Sequence, residues 1–302
     1  MSLPVPLVEN APAKVNLTLR VFRRRDDGYH DIESLVAFAD FGDRLSLLRG
    51  QGLTLTVRGP SAATADEGAD NLVLKAARAL AARYPDIVLG AFRLDKRLPV
   101  AAGLGGGSAD AGAALRLLAQ ANGLARDDPR LYAAARATGA DVPVCLDTRA
   151  RIMRGIGDLL SAPLSLPPLP AVLVNPRVAL PTKAVFAAWR PAAAPGAGLD
   201  LAAVAKLTSR DPLLRLLATQ SNDLEEPAIA LTPVIADVLS ELRGLSGCQL
   251  ARMSGSGATC FGLFSSAAAA RAAGKVLRDK YQHWWVKAGV LGRDRMEGGL
   301  AR

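Results

Sequence analysis

Residues 98–118 read LPVAAGLGGGSADAGAALRLL. Gly103, Gly105, Gly106 and Gly107 crowd into one short window, and the residues after them carry apolar side chains at helical spacing. Glycine weakens a folded element unless the backbone needs positive φ or something must come very close to it. Upstream, AFRLDKRL (91–98) reads as a strand. The segment is therefore strand, glycine loop, helix, with the helix expected from about Ser108 to Asn122 and closed by Gly123. Such a junction offers a phosphate bare backbone N–H groups and the roughly half positive charge of a helix mouth. Ser108 adds a hydroxyl suited to a phosphate oxygen or a bound Mg²⁺. The same glycines would also serve as a connector that lets strand and helix pack closely. Two nucleotide fingerprints do not apply. A Walker A loop needs Gly-Lys-Ser/Thr, but Gly107 is followed by Ser108 and Ala109. A G-x-G-x-x-G run would need glycine where Ser108 stands.

Outward from the loop, strands come first. KVNLTLRVF alternates, with Val15, Leu17 and Leu19 on one face and Lys14, Asn16 and Thr18 on the other. RLSLL (44–48) and LTLTV (53–57) continue the pattern, and NLVLKAARALAARY (71–84) reads as a helix capped by Asp70 or Asn71. A short helix is expected over 128–139, closed by Gly139. After the proline-rich residues 161–170, AVLVN (171–175) reads as a buried strand and 191–199 as a loop. Helical patterns fill much of 200–243. Strand, glycine turn and strand follow over 249–264, then a helix over 265–281 and a last strand over 283–291, with a frayed tail. Strict strand-helix alternation is missing, so the class is α+β. A prior of about 150 residues per domain suggests two domains, drawn at 1–165 and 166–302.

The 302 residues are 50% hydrophobic and 22% charged, the balance of a globular chain. The net charge of +9 is scattered, and its densest run, Arg23–Arg25, is followed at once by Asp26 and Asp27. With no long basic block and no aromatic RNA-recognition signature, small phosphorylated molecules are favoured over nucleic acid. Three cysteines and two histidines make a zinc site improbable and suit a reducing compartment. No signal peptide is visible, and the apolar run 159–176 carries five prolines, which no regular spanning helix tolerates. A cytoplasmic protein with no membrane partner is expected.

Three stretches together resemble the galactokinase, homoserine kinase, mevalonate kinase and phosphomevalonate kinase (GHMP) superfamily. These are Ala11-Pro12-Ala13-Lys14-Val15-Asn16-Leu17, the run Leu98 to Ala109, and Met253-Ser254-Gly255-Ser256-Gly257-Ala258-Thr259-Cys260-Phe261, in the superfamily's order. Asp27-Gly28-Tyr29-His30-Asp31-Ile32 and Gly139-Ala140-Asp141-Val142-Pro143 are similar to the branch that phosphorylates a cytidine diphosphate-linked methylerythritol on the non-mevalonate route to isoprenoid precursors. The resemblance implies a two-domain fold, with a mixed-sheet nucleotide-binding domain followed by an α+β domain, and a kinase using ATP and Mg²⁺. Rival readings are a homoserine or mevalonate kinase of the same superfamily, or a non-enzymatic nucleic-acid-binding protein.

The resemblance also implies residue roles. ATP is expected on Pro99, Val100, Ala101, Ala102, Gly103, Leu104, Gly105, Gly106, Gly107, Ser108 and Ala109, with Asn71 and Lys96 approaching the nucleotide. Asn71 is equally explained as a helix cap. Asp141 is the implied base and Lys14 its partner at the acceptor oxygen, although alone they read as a turn aspartate and a strand-edge lysine. Asn16 would hold the substrate, and Tyr29 and His30 the cytosine. The third motif would close over the loop or the substrate's phosphates, or form a plain hairpin. Ser108 matches the superfamily's metal-holding serine, while no carboxylate partner for it is evident from sequence.

Overall fold

The computed structural model describes residues 5–50, 52–191 and 198–292. The expected tail beyond 292 and most of the 191–199 loop lie outside them. Residues up to 13, 41–100 and 105–148 form one compact unit, and 14–40, 101–104 and those from 149 onward form the other.

In the first unit, strand Gly90–Asp95 buries Phe92 and Leu94 and exposes Ala91 and Arg93. That period of two is what a sheet covered on one face produces. It pairs parallel with strand Thr54–Arg58 and antiparallel with residues 44–49 of the long strand His30–Arg49. Helix Leu72–Ala81 buries Val73, Leu74, Ala76, Ala77 and Leu80 on one stripe. Helix Gly106–Asn122 has most of its surface buried, which its alanine-rich sequence permits by letting neighbours approach from several sides. It begins two residues before Ser108 and ends on left-handed Gly123, as the sequence indicates. Helices Pro129–Thr138 and Val142–Asp147 complete the unit.

In the second unit, strand Leu169–Asn175 is buried along its whole length. It runs between strands Trp285–Leu291 and Cys260–Phe264, both antiparallel to it, and Cys248–Met253 pairs beyond the latter. Strand Trp285–Leu291 joins residues 30–40 of the long strand through Leu291 and Ala39. Those residues also pair with Arg20–Arg24 and Arg151–Gly155. Val172, Val174, Ile235, Leu239, Leu242, Phe264 and Leu277 belong to its core.

Two elements differ from the sequence reading. The alternation over 14–22 is not one strand: Leu7–Asn16 ends, and Arg20–Arg24 begins after a break at Leu17–Leu19. Lys14, Asn16 and Thr18 are as buried as Val15, Leu17 and Leu19, so alternation there does not separate core from solvent. Residues 142–147 form a helix that the sequence reading leaves unassigned, with Asp141 just before it.

Candidate active site

The second unit brings parts of all three motifs together through Ser254, which is fully buried. Its Oγ accepts the Asn16 N–H at 3.1 Å and donates to the Gly103 carbonyl at 2.9 Å. The Lys14 N–H donates to the Leu104 carbonyl at 2.9 Å, and the Thr259 N–H to Ala102 at 3.2 Å. The turn after Met253 is thus no free hairpin: it packs on loop residues 102–104. Asn222 reinforces it by donating to the Met253 and Gly255 carbonyls, both at 2.8 Å. Gly103 has φ +72, and a Cβ there would lie 2.4 Å from the Ser254 carbonyl oxygen. Only glycine fits that crossing.

Lys14 is 3% exposed, and its Nζ donates to Asn16 Oδ1 at 3.3 Å. Asn16 Nδ2 donates to Ser34 Oγ at 2.7 Å, and that hydroxyl donates to the Thr18 carbonyl. Lys14 and Asn16 therefore point the same way, held by a buried polar chain. A strand-edge lysine in solvent is excluded.

In the first unit, Gly105 is left-handed with φ +57 and supplies no side-chain cap to helix Gly106–Asn122. The N–H groups of the first turn of a helix have no intrahelical acceptors. Here they belong to Gly106, Gly107 and Ser108. Ala109 is buried in the helix, whereas Ala101 has φ +52 and is exposed, as is Val100. Pro99 is half-buried. Asn71 is the cap of helix Leu72–Ala81, its Oδ1 accepting the Val73 N–H at 2.9 Å.

Asp141 stands at the N-terminus of helix Val142–Asp147 but makes no side-chain capping bond to it. Arg116 holds the other end of that helix, donating to the Cys145 carbonyl at 2.8 Å and to Leu146. The same guanidinium donates to the Asn10 carbonyl and pairs with Glu9 at 3.2 Å.

Lys96 is buried between two carboxylates, 2.6 Å from Asp43 and 2.5 Å from Asp110. Burial works against its charge, but the two aspartates outweigh it and hold the ammonium's pKa raised. Burial pushes the Asp110 carboxyl up to about 7, despite the pull of Lys96 in the other direction.

Tyr29 is 58% exposed on the second unit. His30 lies against two rings far from it along the chain. Phe186 is tilted at 4.9 Å between centroids and Trp189 is edge-on at 5.7 Å. Burial first, and Arg24 second, lower the pKa of His30. The three-residue spacing of Phe186 and Trp189 marks one helical face, but nothing in it names His30 as the partner. Among the described residues, no three His, Cys, Asp or Glu side chains group as a metal cluster, and no helix is long and apolar enough to cross a membrane.

Comparison with known proteins agrees with the resemblance to the GHMP superfamily. The GHMP kinases N terminal domain matches residues 71–148, and the GHMP kinases C terminal model matches 201–283. A 4-diphosphocytidyl-2-C-methyl-D-erythritol kinase of Rhodopseudomonas palustris is 57% identical over 291 residues, covering 94% of this chain and 97% of that protein. A crystal structure of 4-(cytidine 5'-diphospho)-2C-methyl-D-erythritol kinase is similar with TM-score 0.77 and 37% identity, covering 95% of this chain and 100% of that one. A homoserine kinase from Cytophaga hutchinsonii shares the fold at TM-score 0.70 and 21% identity, over 96% of each chain.

Proposed function

The chain belongs to the 4-diphosphocytidyl-2-C-methyl-D-erythritol kinases of the GHMP family, and on that premise we propose how its residues perform the family's reaction. It is a small-molecule kinase that phosphorylates the 2-hydroxyl of 4-diphosphocytidyl-2-C-methyl-D-erythritol with ATP. A bond forms between the acceptor oxygen and the γ-phosphorus. The bond from that phosphorus to the β–γ bridging oxygen breaks, and ADP leaves. The hydroxyl proton goes to Asp141.

Phosphoryl transfer asks a protein chiefly for positioning and for charge stabilisation. The phosphates are assigned to the loop from Ala101 to Ser108, where bare N–H groups and a helix mouth favour anions. Asp141, at the N-terminus of helix Val142–Asp147, accepts the proton. Lys14 favours the ionised carboxylate and the developing alkoxide. What supports this is its burial beside Asn16 and its backbone bond to the glycine loop at Leu104. Asn16 orients the acceptor. Tyr29 and His30 hold the cytosine, with Phe186 and Trp189 backing the imidazole.

The described residues offer no cluster of three His, Cys, Asp or Glu side chains, which fits a Mg²⁺ that would be held mainly by ATP rather than by the chain. Ser108 can give it a hydroxyl, while Asp110, two residues on and so facing elsewhere, is committed to Lys96. When bound, the ion would supply charge neutralisation for the phosphates. The cytoplasm suits a chain whose three cysteines form no disulfide and whose co-substrate is ATP.

The joining of Asn16, Gly103 and Ser254 through one buried hydroxyl carries the mechanistic reading. An ATP-consumption assay over a panel of phosphorylated and nucleotide-linked alcohols tests it. Turnover is expected with the cytidine-linked alcohol, and Tyr29→Ala should reduce it for cytidine-bearing acceptors only. Preference for homoserine or mevalonate, or salt-sensitive RNA binding without ATP turnover, would overturn it.

A further inference from the structure

A lysine just ahead of a phosphate loop invites the role of phosphate ligand. The contacts of Lys96 argue otherwise. Its side chain is 5% exposed, and two of its three donors are spent on Asp43 and Asp110. Both aspartates are tied to the loop's ends. The Oδ1 of Asp43 accepts the N–H groups of Arg97 at 2.5 Å and Leu98 at 2.8 Å, the residues that lead into the loop. Asp110 belongs to the second turn of the helix that leads out of it. Between them the ammonium lies directly under Gly106: a Cβ there would come within 3.2 Å of Nζ.

Stability alone does not explain such a cluster. Buried ion pairs are weak stabilisers, and apolar residues of similar shape often do as well or better. Two carboxylates against one ammonium, with Asp110 Oδ1 lacking a hydrogen-bond partner, make this a costly example. What the cluster does uniquely is join strand His30–Arg49, the end of strand Gly90–Asp95 and the start of helix Gly106–Asn122 at one point.

We propose that Asp43, Lys96 and Asp110 form a buried anchor that fixes the entry and exit of the phosphate loop, so that Lys96 is a positioning residue for ATP and not a ligand of it. This rests on the reading above that residues 105–108 grip the triphosphate. The anchor sets the spacing of their N–H groups from below, and the neutralised ammonium leaves the charge facing the phosphates to the backbone and helix dipole.

Two variants of the full-length chain separate positioning from direct contact, read by calorimetric ATP binding and steady-state kinetics. Asp110→Leu keeps the side-chain size and removes both carboxylate oxygens, the one paired with Lys96 and the one without a hydrogen-bond partner; Lys96→Met removes the ammonium. Positioning expects both to raise Kd and KM for ATP at least tenfold, with KM for the cytidine-linked alcohol unchanged. Direct contact expects opposite responses, because Asp110→Leu would free the ammonium for phosphate. ATP binding by Asp110→Leu as tight as wild type, or tighter, overturns the proposal. A KM rise shared equally by both substrates would also overturn it, since that marks a merely structural role. If Lys96→Met does not fold, Asp110→Leu decides alone. Failure of the wild-type chain to bind ATP would sink the kinase reading instead.

Discussion

Ser254→Ala removes one oxygen atom, and its cost follows from what that atom does. The hydroxyl accepts from Asn16 N–H and donates to the Gly103 carbonyl, in a region where the side chain has no solvent exposure. Alanine leaves a buried donor and a buried acceptor unpaired, at about 1–3 kcal/mol each. A carbonyl tolerates this better than an N–H, so the total is about 2–4 kcal/mol. Urea unfolding followed by tryptophan fluorescence reads that loss directly. Activity should fall further than stability explains, by tenfold or more, because Gly103 adjoins the residue whose carbonyl accepts from Lys14. Ser266→Ala is the control. Its hydroxyl caps the exposed start of helix Ala267–Lys280. It should cost about 1 kcal/mol and leave kinetics alone. If Ser254→Ala stays within about 0.5 kcal/mol of wild type, the hydroxyl does not join the motifs and the reasoning fails.

Asp141→Asn should keep the fold and ATP binding and lower turnover by about 10²- to 10⁴-fold, the usual worth of a general base; near-wild-type turnover removes Asp141 from that role. Arg116→Met removes the donor that the Asn10 and Cys145 carbonyls share and one of the two arginines on Glu9, and should cost about 2–3 kcal/mol in urea unfolding. A loss below about 1 kcal/mol would show that these groups find other partners. His30 has a folded pKa lowered by burial and by Arg24, so below its ordinary value of 6.5 the unfolded chain takes up a proton that the folded chain resists. Stability should therefore fall as pH drops through 6.5 towards the lowered folded value. His30→Phe, which can still meet Phe186, should flatten that decline, and parallel pH curves would contradict it.

How much of this was legible in the sequence depends on the range of each signal. The glycine loop and its helix were legible, because positive φ and close approach leave a local mark: glycine at 103 and 105, and Gly123 at the helix end. The cap at Asn71 was legible for the same reason. The partners of His30 were not, since Phe186 and Trp189 lie more than 150 positions away and their spacing speaks only of a shared helix face. Arg116 gave no sign of gathering Asn10 and Cys145. Strand alternation misled at Lys14, Asn16 and Thr18, where both faces are covered. Lys96 shows the deepest limit. From sequence, Lys96 beside a glycine loop reads as a residue approaching the nucleotide, and nothing ties it to Asp110 on the following helix. In the fold they neutralise one another, with Asp43 completing the cluster from more than 50 positions away. The chemistry a charged residue offers is set by the charges around it, and those are fixed by topology before any ligand arrives.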